Sequence, residues 1–149
     1  VRLSVTALLM VGAACGGGGG GPAAPTPPVV TVAGTWDATF NGRVVQRNDG
    51  GAVGASQTDQ VVLVLTQTGT SVSGTVVWSE GRPGEIRLPL TGTLVGSRFQ
   101  YRVESTLGGC AATIVGDATV NAAGSGFSGT QTATTCEGRA EGAVTATRR

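Results

Sequence analysis

The chain has 149 residues, with ten Lys+Arg, all of them arginine, nine Asp+Glu and no histidine. Once a leader is set aside the length is that of one domain, and the near-neutral balance leaves no basic stripe for nucleic acid. The missing histidine removes the commonest general base and the Ser-His-Asp mechanism. Abundant Gly, Thr, Ser, Val and Ala with 4% aromatic residues point to an all-β domain with tight turns, since a disordered chain carries fewer Val, Leu and Ile.

The first element is the leader. Residues 3–14 form an apolar core behind Arg2. That core is too short to span a bilayer, which needs about 20 residues, and it ends in small residues as a secretory signal does. The segment Gly12-Ala13-Ala14-Cys15 resembles the lipobox of bacterial lipoproteins, whose cysteine is diacylated and becomes the mature N-terminus. It departs from that pattern at Gly12, where the family has Leu or another larger apolar residue. The resemblance implies a signal peptide over 1–14, lipid on Cys15 and a membrane as partner through that lipid. Gly16 in place of Asp points, by analogy with enteric bacteria, to the outer membrane with the domain facing the periplasm. The chain opens on Val1, which reads as an alternative start codon or a missing start.

Residues 15–30 read as a tether. Gly16 to Gly21 maximise chain entropy, and the prolines from Pro22 to Pro28 favour extended backbone. As a coil the piece reaches on the order of 20 Å, and stretched about 50 Å. Residues 31–149 then form the folded domain.

That domain reads as successive hairpins. Strand one lies near Ala33–Val45, headed by Gly34-Thr35-Trp36, and the polar loop Gln46–Gln57 follows. Strand two, Gln60–Thr66, is a near-continuous apolar run. Strand three, Val72–Ser79, puts Val72, Gly74, Val76 and Trp78 on one face. The turn Arg82-Pro83-Gly84 leads into strand four, Glu85–Leu94, where Ile86, Leu88 and Leu90 alternate with polar or outward positions. Strand five is the clearest: Phe99, Tyr101 and Val103 alternate with Arg98, Gln100, Arg102 and Glu104, the period of a half-buried strand. Strands six to eight run Cys110–Val120, Gly126–Cys136 and Ala140–Thr147.

With Cys15 assigned to lipid, Cys110 and Cys136 remain, and after export an even pair reads as a disulfide. Closing a loop of this size stabilises the fold by about 3 kcal/mol. A metal is not expected, as no third thiol lies nearby. The two cysteines are equidistant from Ala123, so a simple hairpin sets them face to face. That register puts Phe127 opposite Thr119, on the polar face, so a bulge or shifted register is expected near Gly124–Gly126.

Short strands joined by tight turns fit an up-and-down barrel of about eight strands, or alternatively a two-sheet sandwich. The barrel is favoured because sequential hairpins need no crossovers and closure removes both edges. The head Gly34-Thr35-Trp36 resembles the Gly-x-Trp signature of the lipocalins and their calycin relatives, and the loop after strand one resembles the lipocalin lid. In those barrels the tryptophan plugs the closed end. A second lipocalin motif and a helix near the C-terminus are missing. Leu90-Thr91-Gly92-Thr93 and Thr75–Trp78 resemble pieces of avidin-type barrels, in the wrong order and without the other biotin-contacting aromatics. Over most of residues 31–149 the chain is similar to small bacterial lipoproteins rich in Gly-Thr-Trp, Ser-Gly-Thr and Thr-Gly-Thr hairpins. This resemblance implies a fold and an address, and no activity.

No catalytic set emerges, and the chain is not read as an enzyme. Glu80 and Glu85 are the nearest pair of carboxylates, and they read as solvated charges flanking a turn. Asp37 follows Trp36 on strand one and carries little catalytic weight. Asn48-Asp49-Gly50-Gly51 lacks the alternating oxygen ligands of a calcium loop and reads as a turn. No cofactor is implied, since Gly16–Gly21 precedes no helix and no phosphate-binding Lys-Ser/Thr follows.

Trp36, Trp78, Phe40, Phe99 and Tyr101 either fill the core or line a ligand cavity, because an eight-stranded barrel has room for side chains or for one small ligand. The many small residues leave volume that few large ones fill. Two functions follow: a lipid-anchored envelope module for a small apolar ligand or an envelope component, or a periplasmic protein-interaction module such as a protease or lysozyme inhibitor contacting its target through loops 46–57 and 80–85. An outer-membrane barrel is not expected, since six aromatics cannot build two girdles.

Overall fold

The computed structural model describes residues 30–51, 53–107 and 109–149. The expected signal peptide, Cys15 with its expected lipid and nearly all of the expected tether lie outside the described residues.

The domain is a closed antiparallel barrel in which each strand pairs with its neighbours in the sequence. The strands are β1 Gly34–Arg47, β2 Ser56–Thr68, β3 Ser71–Trp78, β4 Ile86–Val95, β5 Arg98–Leu107, β6 Cys110–Val120, β7 Gly126–Thr135 and β8 Gly138–Arg148. The pairing of β1 with β8, from Trp36↔Arg148 to Arg47↔Gly138, closes the cylinder. The sandwich alternative is therefore set aside. The alternation along β5 is realised: Phe99, Tyr101 and Val103 are buried while Arg98, Gln100, Arg102 and Glu104 face solvent. In the apolar run of β2 the same period holds at its far end, where Leu63 and Leu65 are buried in the core and Val64 is exposed.

Two boundaries differ from the sequence reading. β1 and β2 both reach further into the polar loop, because Asn41, Gly42 and Arg43 pair with Thr58, Gln57 and Ser56. The register of β1 against β8 slips between Val44 and Gln46, a bulge that lets β1 continue to Arg47. The loop that resembled a lid is thus shorter than the span Gln46–Gln57.

The β6–β7 hairpin carries the expected register shift. Its ladder runs from Val120↔Phe127 to Ala112↔Thr135, one residue away from the symmetric register, so Phe127 meets Val120 inside the barrel. The shift is absorbed in the turn, where the Asn121 N–H donates to the Gly126 carbonyl at 2.9 Å and the Gly124 N–H to the Asn121 carbonyl at 2.9 Å. Cys110 and Cys136 form a disulfide with Cα atoms 5.6 Å apart. It lies at the end of the hairpin away from that turn.

The two ends of the barrel are built differently. At one end, where the β2–β3, β4–β5 and β6–β7 turns gather, Val32, Trp36, Leu94, Phe99, Val120 and Phe127 fill the interior, and Trp36 and Phe99 have no exposed surface. The chain before β1 lies across this end. The Val32 N–H donates to Gln67 Oε1 at 2.9 Å, and Trp36 Nε1 donates to the Val32 carbonyl at 2.8 Å. Arg148, from the last strand, lies over the Trp36 ring at 4.6 Å and donates to the carbonyls of Gly124, Ala33 and Thr31 at 2.6–2.9 Å. Gly34 sits in the left-handed region at φ 133°, and a Cβ there would crowd the Arg148 guanidinium. The Gly-x-Trp head therefore has a local reason: the glycine turns the chain into β1 beside the arginine, and the tryptophan two residues on points inward.

Candidate ligand cavity

The opposite end is hollow. A cavity of about 280 Å³ opens there, among the β1–β2, β3–β4, β5–β6 and β7–β8 connections. Its origin is the distribution of side-chain volume. Trp36 packs on Phe127 at 5.2 Å between ring centroids, Phe127 on Phe99 at 5.6 Å, and Phe99 on Tyr101 at 5.2 Å. This column takes four of the six aromatics and runs from the plug to mid-barrel. Beyond Tyr101 the inward positions are mostly smaller: Ala38, Val76, Ala112, Ile114, Ala133 and Val144. A cylinder of fixed circumference lined by such residues does not close on itself.

Tyr101 forms the cavity floor. It pairs with Gly92 on one side and Gly116 on the other, so no side chain competes with the ring. The ring lies flat against Gly116, where any Cβ would overlap it. Its hydroxyl donates to Gln131 Oε1 at 2.6 Å. Burial pushes the phenol well above its ordinary value near 10. Tyr101 is the single tyrosine of the chain, so tyrosinate absorbance reads this residue alone. Native protein is expected to show no tyrosinate at a pH where the unfolded chain ionises, and the signal should appear with unfolding. The sign of the linkage is set by a raised folded pKa. Its contribution to stability is intact below about pH 10 and declines above it by up to ~1.4 kcal/mol per pH unit, until the folded phenol itself ionises. Alkaline titration at fixed temperature checks this, and a normal phenol titration in folded protein would contradict the buried floor.

Of the aromatics expected to line a cavity, the structure brings Phe40, Trp78 and Tyr101 to it. Trp36 and Phe99 are placed elsewhere. They sit beneath the floor in the plug, fully buried among the other residues of the core cluster. Polar residues that the sequence reading did not single out also line the space: Gln57, Asp59, Ser105 and Gln131. A signal for Asp59 existed. Asp59, Val61 and Leu63 share one phase of the β2 alternation, and placing the strand start at Gln60 left Asp59 just outside the strand.

The acids weighed for catalysis lie apart from the cavity. Asp37 and Glu80 both bind Arg149, at 2.8 and 2.7 Å. Glu85 accepts from the Gly81 N–H at 2.7 Å and from Arg87 at 2.6 Å, and these contacts hold its carboxyl below the usual range. Asn48–Gly51 forms a turn in which Asp49 accepts from the Gly51 N–H at 2.9 Å and pairs with Arg47, which lowers the Asp49 carboxyl. The disulfide stands on the rim, and its sequence neighbours Ala112 and Thr135 line the space.

The chain matches no protein-family model, and it matches no curated protein and no solved structure.

Proposed function

We propose that this protein is a lipid-anchored binding module of the bacterial cell envelope that holds a small apolar ligand in the open half of its barrel. The supporting observation is the hollow itself: about 280 Å³, walled mainly by aliphatic and aromatic side chains and closed below by Tyr101. Sites for small molecules have this concave, mostly apolar character with a few polar groups. The anchor rests on the lipobox-like Gly12–Cys15, and the Gly/Pro tract after it has the composition of a leash to a membrane surface. The Gly-x-Trp head and the plugged end favour a lipocalin-like mode of binding, with entry from the far end. The alternative is a protease or lysozyme inhibitor acting on an envelope protein. It fits a filled barrel with one protruding loop better than it fits this hollow one.

A series of 1-alkanols tests the proposal. Each added methylene buried in the cavity is worth ~0.8 kcal/mol, about fourfold in affinity. The gain is expected to stop near roughly ten non-hydrogen atoms, when the space is full. Calorimetric titration measures this. No saturable binding, or a rise that continues without a plateau as for adsorption on an outer surface, would overturn it.

A further inference from the structure

We propose that the ligand carries a protonated amine, seated against Asp59 at the mouth of the cavity. The inference rests on the cavity-binding reading above and specifies its ligand class. Among the described residues Asp59 is the one charged side chain in the lining, and no arginine accompanies it there. Its Oδ2 accepts from Gln57 Nε2 at 2.7 Å, and among the described residues Oδ1 has no hydrogen-bond partner. Elsewhere the strand acids are neutralised: Asp37, Glu104, Asp117 and Glu141 each meet an arginine on the outer face. Asp59 meets none and is turned toward the apolar interior.

The lining holds a second polar group without a partner among the described residues. Ser105 Oγ, on a residue of the lining, is buried and has no hydrogen-bond partner among the described residues. Buried polar atoms are nearly always satisfied in folded proteins, so this hydroxyl is a second polar group left over on the wall that carries Asp59. An apolar body above the Tyr101 floor with a cationic head at the rim satisfies the carboxylate by a charge-assisted hydrogen bond. A fatty acid would bring a second negative charge to the same half-buried site, which the lack of any lining cation makes unfavourable.

Three ligands of equal chain length decide the matter: octylamine, 1-octanol and octanoate, titrated calorimetrically into the full chain and into Asp59→Asn at neutral pH. Octylamine is expected to bind at least about tenfold more tightly than 1-octanol, with octanoate weakest. In Asp59→Asn the amine should lose its advantage over the alcohol measured in the same variant. Amine no tighter than alcohol, or an advantage that survives Asp59→Asn, overturns the amine assignment and leaves cavity binding standing. Absence of binding by all three overturns both. Thermal unfolding checks that the variant is folded; if it is not, the wild-type ranking of the three ligands decides by itself.

Discussion

Replacing Trp36 with alanine is expected to destabilise the domain by about 3–5 kcal/mol, the range for a fully buried large aromatic. The side chain contributes in three ways that fail together. Its ring fills the closed end against Phe127, 5.2 Å away. Its Nε1 satisfies the Val32 carbonyl at 2.8 Å, and its face carries the Arg148 guanidinium. Removing it leaves a void too deep for neighbouring strands to collapse into, because the hydrogen-bond ladder fixes the barrel's circumference. Trp78→Ala serves as the contrast. That ring is half-buried in the cavity wall, so its loss should weaken alkanol binding more than it weakens the fold. Chemical denaturation of both variants measures the difference. Equal destabilisation by the two substitutions would contradict the division into a plugged and a hollow end.

Removing the Cys110–Cys136 bridge should have the next largest effect. Replacing both cysteines with alanine restores the conformational freedom of the intervening loop in the unfolded chain, a change of about 3 kcal/mol for a closure of this length. The bridge also ties the β6–β7 hairpin on the rim side, where the ladder stops at Ala112↔Thr135. Amide exchange in the double variant should therefore accelerate first around Ala112, Thr134 and Thr135, while Val120 and Phe127 near the plug keep their protection. A denaturation midpoint unchanged from that of the oxidised protein would show that the bridge adds nothing to the fold.

The distinction between the ends is also what the sequence concealed. Alternation along a strand tells which residues face inward, and it identified the inward face of β5 and the shifted β6–β7 register correctly. It does not tell at what height on the cylinder each inward side chain sits. Trp36 and Phe127 are far apart in the chain, yet they share the plug; Phe99 and Tyr101 are two residues apart, yet one lies in the plug and the other forms the floor. The height shared by Trp36 on β1 and Phe127 on β7, and the height of β5 relative to both, come from strand stagger around a closed barrel, which only the full set of registers fixes. Arg148 was hidden for a related reason. An arginine near the chain end reads as a solvated charge, and its stacking on Trp36 depends on β8 returning beside β1. Asp59 was within reach of pattern reading and was missed by one residue at a strand boundary, the least certain part of any such assignment.

An aromatic column occupies one half of the barrel and bears much of its packing, which leaves the other half with inward side chains that line its wall without filling its centre. The cavity is thus a consequence of where six aromatic residues fall along eight strands. Binding and stability can then be altered separately by substitutions on either side of Tyr101.

The most direct test of that claim is a methyl-resolved NMR titration with 1-hexanol. Shifts are expected at Leu63, Val76, Leu88, Val103 and Ile114 around the cavity, with Leu94 and Val120 in the plug and Val64 and Val115 on the outer wall left unmoved. Shifts confined to the outer wall, or no saturable shift at all, would contradict a barrel that is hollow at one end.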